Sequence, residues 1–225
     1  MPAKPAPSAA RTTKPPASMA EFVARLGGIP MERIRMTPPP GTATEADLDT
    51  PETALCELID GTLVEKAMGT EESFIGSRLM ALIAAHVDVE GLGGAVLGGD
   101  GYIRLGPGMV RIPDVTYIPW ESFPDGELPD EPFWTVAPGL VVEVLSPSNR
   151  PKEIDRKIAE VFAAGCKLVW VIDPPTKAAK VYTSAKRFKQ LDETGTLDGG
   201  KVLPGFALPL ADLFAPPARP KRKGR

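Results

Sequence analysis

Cysteine and histidine are the scarcest functional residues of this chain. Its 225 residues include two cysteines, Cys56 and Cys166, and one histidine, His86. Two cysteines are too few for a disulfide scaffold, and a single histidine excludes a zinc site built on several imidazoles. A metal site in this chain would have to use carboxylates, which favours Mg²⁺ or Mn²⁺.

Long apolar runs are also missing. No stretch approaches the roughly 18 consecutive apolar residues of a membrane helix, so we predict no membrane span. The first residues carry basic side chains but no apolar segment, which is not typical of a secretory signal. With two cysteines only, a reducing, cytoplasmic location is expected. The chain is 43% hydrophobic, which is enough for a sizeable core.

Negative charge is absent from both ends of the chain. Residues 1–20 and 215–225 together carry eight basic residues and no acid, so residues 21–214 have a net charge of −11. The proline- and alanine-rich segment 1–17 and the basic segment 215–225 are predicted to be disordered tails around a folded domain of residues 18–214. They either keep the protein soluble or attract nucleic acid.

The apolar pattern predicts a mixed α/β (α+β) fold with a largely β centre. Ser18 is predicted to cap a short helix, and Asp60-Gly61 is typical of a tight hairpin turn. Further helices are predicted at about 71–88, 151–164 and 210–214. Strands are predicted at about 55–59, 62–66, 95–98, 101–105, 109–112, 115–118, 140–145, 167–172, 179–183 and 187–191.

Glu143 is the most informative residue, because it lies inside the apolar strand Leu140–Leu145. A buried carboxylate costs several kcal/mol unless it is paired or coordinates a metal. Either it belongs to a site, or it forms a structural ion pair with an arginine. Glu57 shares a strand face with Leu55 and Ile59, so it either points into a core or lies on an edge strand.

Two more residues complete this set. Asp114 follows Pro113 at a predicted strand junction, which is either a functional bulge or a simple turn. Lys157 borders the buried stripe of its helix, where it either reaches the end of the Glu143 strand or lies on the surface. Carboxylates beside a lysine suit metal-assisted hydrolysis of a phosphodiester.

Several motifs, taken in order, resemble the Uma-two family of endonucleases, within the PD-(D/E)xK restriction-endonuclease-like superfamily. The resemblance covers roughly residues 52–214. It is carried by Glu57-Leu58-Ile59-Asp60-Gly61, Arg111-Ile112-Pro113-Asp114-Val115, Pro138-Gly139-Leu140-Val141-Val142-Glu143-Val144-Leu145-Ser146-Pro147-Ser148, Lys157, Trp170-Val171-Ile172-Asp173-Pro174 and Leu203-Pro204-Gly205-Phe206.

The resemblance implies a restriction-endonuclease-like core with a central mixed β-sheet, flanking helices and extra antiparallel hairpins. It implies Asp114 and Glu143 as metal ligands and Glu57 as a further acidic residue of the metal site. The superfamily's usual lysine position is Leu145 here, and Lys157 takes the place of a lysine moved to the following helix.

The sequence therefore predicts a Mg²⁺- or Mn²⁺-dependent endonuclease that hydrolyses DNA, with Asp114, Glu143, Lys157 and Glu57 as catalytic residues. Arg111 and Arg150 are candidate phosphate contacts. RNA stays open as the substrate. The main alternative is a non-catalytic module that binds nucleic acid or protein on the same fold. The fold is compatible with a homodimer, although no residue pattern indicates one.

Overall fold

The computed structural model of the protein describes residues 16–217. Residues 1–15 and 218–225, which make up most of the two predicted tails, lie outside the described residues. Within the described range the α-helices are α1 (Met19–Arg25), α2 (Thr70–Val89), α3 (Pro151–Ala163) and α4 (Leu210–Phe214). None of these helices combines the length and the hydropathy that a membrane span requires.

A four-stranded antiparallel sheet begins with the predicted hairpin. It contains β1 (Cys56–Ile59), β2 (Thr62–Glu65), β4 (Ile103–Gly106) and β5 (Met109–Arg111), in the order β2-β1-β5-β4. Asp60 and Gly61 both have positive φ angles, 49° and 70°, as the predicted turn requires. Strand β1 lies between two partners and every residue of it is buried, so the interpretation of Glu57 as an edge-strand residue is wrong.

The larger sheet is mixed and carries the predicted Glu143 strand near its centre. It contains β3 (Ala95–Leu97), β6 (Val115–Ile118), β7 (Leu140–Val144), β8 (Leu168–Asp173), β9 (Ala178–Ser184) and β10 (Arg187–Leu191), in the order β10-β9-β8-β7-β6-β3. Strands β7 and β8 are parallel and joined through α3, whereas the other neighbours are antiparallel. This arrangement confirms the predicted mixed sheet with flanking helices.

Helices cover both faces of the mixed sheet. On one face, Leu79 and Ile83 of α2 pack with Val142 and Trp170 in the main core. On the other face, α3 packs its apolar stripe against alternate residues of β7 and β8. Burial on both faces explains why β7 reads as a nearly continuous apolar run.

A short hairpin near the end of the domain was not predicted. Strands β11 (Thr196–Asp198) and β12 (Ala207–Pro209) pair with each other, and α4 follows directly. Leu197 is their fully buried residue, between two exposed polar neighbours. The two strands have three residues each and only one buried side chain between them, which is too little alternation for a sequence pattern to detect.

Candidate active site

Lys157 lies at the centre of a buried ionic cluster that joins the two larger sheets. Its Nζ atom is 2.8 Å from Oε2 of Glu143, on β7, and 3.0 Å from Oε1 of Glu57, on β1. The three residues are 3–6% exposed. The structure therefore brings together three of the side chains predicted from the sequence, although β1 and α3 are about 100 residues apart in the chain.

Local sequence explains the direction of each side chain. Because side chains alternate along β7, Glu143 points to the same face as Val141, toward α3, whereas Val142 faces α2. On α3, Lys157 directly precedes Ile158 of the buried stripe and is itself buried. The helix thus turns the ammonium group inward onto the Glu143 strand, and the surface-lysine alternative is wrong.

Arg111, at the end of β5, holds Glu57 in place. Its Nη1 donates to Oε2 of Glu57 at 2.8 Å, and the backbone N–H of Ile112 donates to Oε1 at 3.0 Å. The other side of the guanidinium is paired with Glu160 of α3, with Nε 2.9 Å from Oε2. Arg111 is only 1% exposed. A contact between this arginine and a phosphate, as the sequence predicted, would require these ion pairs to open.

Asp114 lies directly before β6, beside the end of β7. Its Oδ2 accepts a hydrogen bond of 2.7 Å from the backbone N–H of Val144, the residue after Glu143. Its Oδ1 is 2.8 Å from Nζ of Lys66, a residue that sequence reasoning missed. Asp114 and Lys66 both line a cavity of about 320 Å³. The cavity places one of the predicted acids within reach of a ligand.

Burial and neighbouring charges set the ionisation of the cluster. Burial raises the pKa of Glu143 to about 7, and the carboxylates of Asp114 and Glu57 add to this effect against the opposing charge of Lys157. Burial alone would also raise the pKa of Glu57, but Lys157 and Arg111 lower it well below its ordinary value. The same carboxylates raise the pKa of Lys157 despite its burial. Lys157 and Glu57 are therefore charged near neutral pH, and Glu143 is the group that exchanges protons there.

The donor set for a divalent ion can be tested on these contacts. Both oxygens of Glu57 already accept hydrogen bonds. Among residues 16–217, Oε1 of Glu143 is buried and has no hydrogen-bond partner, as a ligand oxygen for a cation would be. Glu143 and Asp114 are hard oxygen donors that fit Mg²⁺ or Mn²⁺. Across residues 16–217, however, no three or more Asp, Glu, His or Cys side chains are grouped as a metal site.

Arg150 lies apart from this cluster. It caps the N-terminus of α3, is exposed, and donates from its guanidinium to the backbone carbonyls of Pro147 and Asn149. It lines a separate cavity of about 610 Å³ together with Lys180 and Tyr182. Its exposure leaves it accessible to a phosphate, and the role predicted for it stays a prediction.

Comparison with known proteins places the chain in a family. A crystal structure of a protein from Anabaena variabilis, titled a putative nuclease belonging to DUF820, superimposes with a TM-score of 0.65 and 22% sequence identity. The match covers 75% of this chain and 94% of that one, and it shows a shared fold. No curated protein matches the chain. A family model described as "Uma2: Putative restriction endonuclease" matches residues 45–211, and the chain belongs to this Uma2 family.

Proposed function

We propose that this protein is a divalent-metal-dependent endonuclease that hydrolyses phosphodiester bonds of DNA. The observation that carries the proposal is the buried ammonium of Lys157 between Glu143 and Glu57. An ammonium on α3 is costly to bury, and so is its partner Glu143 in the apolar strand β7. Buried charges of this kind cluster at functional sites. Membership of a family described as restriction endonucleases supports the same chemistry.

Asp114 and Glu143 are the residues that would hold the ion. When bound, Mg²⁺ or Mn²⁺ would polarise the phosphate and lower the pKa of a water molecule. Glu143 would contribute an oxygen that accepts no hydrogen bond from any described residue. Asp114 brings a carboxylate fixed by the Val144 N–H group and open to the 320 Å³ cavity.

The remaining residues of the cluster hold a positive charge in place. Two carboxylates keep Lys157 protonated, so its ammonium can stabilise the negative charge that develops on the phosphate in the transition state. Glu57 acts through Lys157 as a positioning residue, because it accepts from Nζ with one oxygen and is fixed by Arg111 with the other. Arg111 in turn holds the Glu57 carboxylate in place through their buried ion pair.

Two further proposals concern the setting of the reaction. DNA is favoured as substrate by the family description, and the exposed Arg150 offers a phosphate contact at the N-terminus of α3. A cytoplasmic location is supported by Cys56 and Cys166, which are both unpaired and buried.

A second candidate function is a non-catalytic binding module on the same fold. The observation that favours it is that Asp114 and Glu57 already have cationic partners, and that no group of three metal-ligating side chains is present within residues 16–217. In such a module the cluster would serve only to fix α3 against the two sheets.

Cleavage of plasmid and linear DNA with Mg²⁺ or Mn²⁺ distinguishes these candidates. The wild-type protein should cut, whereas Glu143→Gln and Lys157→Met should both lose the activity and keep their secondary structure. Lys167→Met and Glu193→Gln are matched controls, because both residues are exposed and lie on other parts of the surface. Cutting that persists in both cluster variants would reject the proposed site, and folded wild-type protein that neither cuts nor binds metal would favour the binding module.

A further inference from the structure

Lys66 carries a second ammonium group on a largely enclosed side chain, outside the residues to which the proposed function gives a role. Its Nζ atom is 2.8 Å from Oδ1 of Asp114, and it donates to the backbone carbonyls of Gly99 at 3.0 Å and Pro113 at 3.3 Å. The Lys66 side chain is 6% exposed. All three neighbours are oxygens, so the ammonium lies in a small cage of one carboxylate and two carbonyl groups.

Two features of the chain hold this cage together. Lys66 follows β2 directly, and its backbone N–H donates to the carbonyl of Leu55, which fixes the strand end. Gly99 lies against the ammonium so closely that a Cβ atom there would be 3.1 Å from Nζ. The absence of a side chain at position 99 therefore lets its carbonyl approach the lysine.

The carboxylate and carbonyl oxygens around Lys66 are also suitable ligands for a divalent ion. Mg²⁺ and Mn²⁺ bind carboxylate and carbonyl oxygens, and Asp114 is one of the two acids that fit the ion in the proposed function. A positive charge 2.8 Å from Oδ1 repels a second cation and occupies one side of the carboxylate. The lysine and the metal thus compete for Asp114.

We propose that Lys66 is an internal counter-ion of Asp114, which a divalent metal must displace, and that it thereby sets the metal affinity of the site. The inference rests on the metal site of the proposed function but not on cleavage of DNA. Lys66 acts through Asp114 and is in this sense a positioning residue. It keeps the carboxylate neutralised and ordered while no metal is bound.

Direct titration with Mn²⁺, followed by electron paramagnetic resonance of the free ion, tests the competition. Lys66→Met should bind Mn²⁺ at least about tenfold more tightly than the wild type, because the opposing charge is gone. Lys66→Arg keeps the charge and should stay close to the wild-type affinity. Lys167→Met removes an equal charge elsewhere, near the start of β7, where the Lys167 N–H donates to the carbonyl of Gly139. It should leave the affinity for Mn²⁺ unchanged.

A second measurement uses the wild-type protein and does not depend on the folding of a variant. Reductive methylation of lysines, read by mass spectrometry at Lys66, should be slow without metal because the amine is buried and paired. Saturating Mg²⁺ should accelerate it several-fold. In Asp114→Asn, methylation of Lys66 should be equally fast with and without Mg²⁺.

The outcomes separate this inference from the proposed function. Tighter Mn²⁺ binding by Lys66→Met together with metal-dependent exposure of Lys66 supports the inference, even if the protein cuts no DNA. An unchanged Mn²⁺ affinity in Lys66→Met, or a methylation rate of Lys66 that ignores saturating metal, overturns it, even if the wild-type protein is a nuclease.

Discussion

Replacing Lys157 by methionine should destabilise the protein and do so more strongly at alkaline pH. Methionine keeps a similar flexible stem in the α3 stripe but removes the ammonium. Oε2 of Glu143 and Oε1 of Glu57, now 2.8 and 3.0 Å from Nζ, would then lose their shared cation. The variant would leave two neighbouring carboxylates, both buried, between the sheets and the helix.

The size of the stability loss depends on the partners that each carboxylate retains in the variant. Removing one partner of a buried ion pair typically costs about 3–5 kcal/mol. Glu57 keeps Arg111 and the Ile112 N–H, which places the expected loss at the lower end, about 3 kcal/mol. Glu143 can reduce the penalty by taking up a proton, because burial already raises its pKa to about 7. The loss should therefore be smaller at about pH 6 than at about pH 8.

Urea unfolding followed by tryptophan fluorescence is a suitable assay, because Trp170 is fully buried in the main core. Lys167→Met serves as the control for loss of one exposed lysine. The double variant Glu143→Gln, Lys157→Met should recover part of the stability, since it removes one of the stranded carboxylates. A loss below about 1 kcal/mol at alkaline pH, typical of an exposed pair, would refute the reasoning that this ammonium is a buried and essential counter-ion.

Three further predictions test other parts of the structure. The folded-state pKa of Glu143, about 7, lies above its ordinary value of 4.5. Protonated Glu143 therefore contributes on the order of 3 kcal/mol to the free energy of unfolding, fully below about pH 4.5, and this contribution is lost as the pH rises through 7. Glu143→Gln should flatten the unfolding free energy over this window, and an unchanged slope would contradict the assignment. Gly27 and Gly28 both have positive φ, but only a Cβ at Gly27 would meet backbone atoms of Glu153, at 2.8 Å. Gly27→Ala should therefore reduce the free energy of unfolding by about 1–3 kcal/mol more than Gly28→Ala does. Equal losses in the two variants would argue against close packing at Gly27. Burial raises the pKa of the Cys166 thiol to about 11, so thiol reagents should label it at neutral pH only after the protein unfolds. Rapid labelling of Cys166 in the native protein, read by mass spectrometry, would contradict its burial.

Local patterns account for the elements that carry the site. The Asp60-Gly61 turn, the apolar strand around Glu143 and the amphipathic stripe of α3 all lie in short segments, where periodicity and turn preference act over a few residues. They also explain why Lys157 could be placed beside the Glu143 strand, because the strand and the helix are adjacent in the chain and joined by a short loop.

Local patterns could not predict ion-pair partners that come from distant segments of the chain. Lys66 looks like an ordinary lysine after a strand, and nothing near it in sequence indicates Asp114 as its partner. Glu160 carried a weak signal, because it follows Lys157 by about one helical turn and could have been expected on the same side of α3. Its partner Arg111 is 49 positions away.

The sequence by itself therefore determined most of the elements and the unusual position of Glu143, because hydrophobic periodicity and turn chemistry act locally. The mixed sheet was expected only from the resemblance of the motifs to a known family. Only the tertiary structure decided which charges neutralise one another. It buried Arg111 beside Glu57, paired Asp114 with Lys66 and left one oxygen of Glu143 without a partner within the described part of the chain. The physical reason is that the energy of a charge depends on the burial and the neighbours that folding gives it.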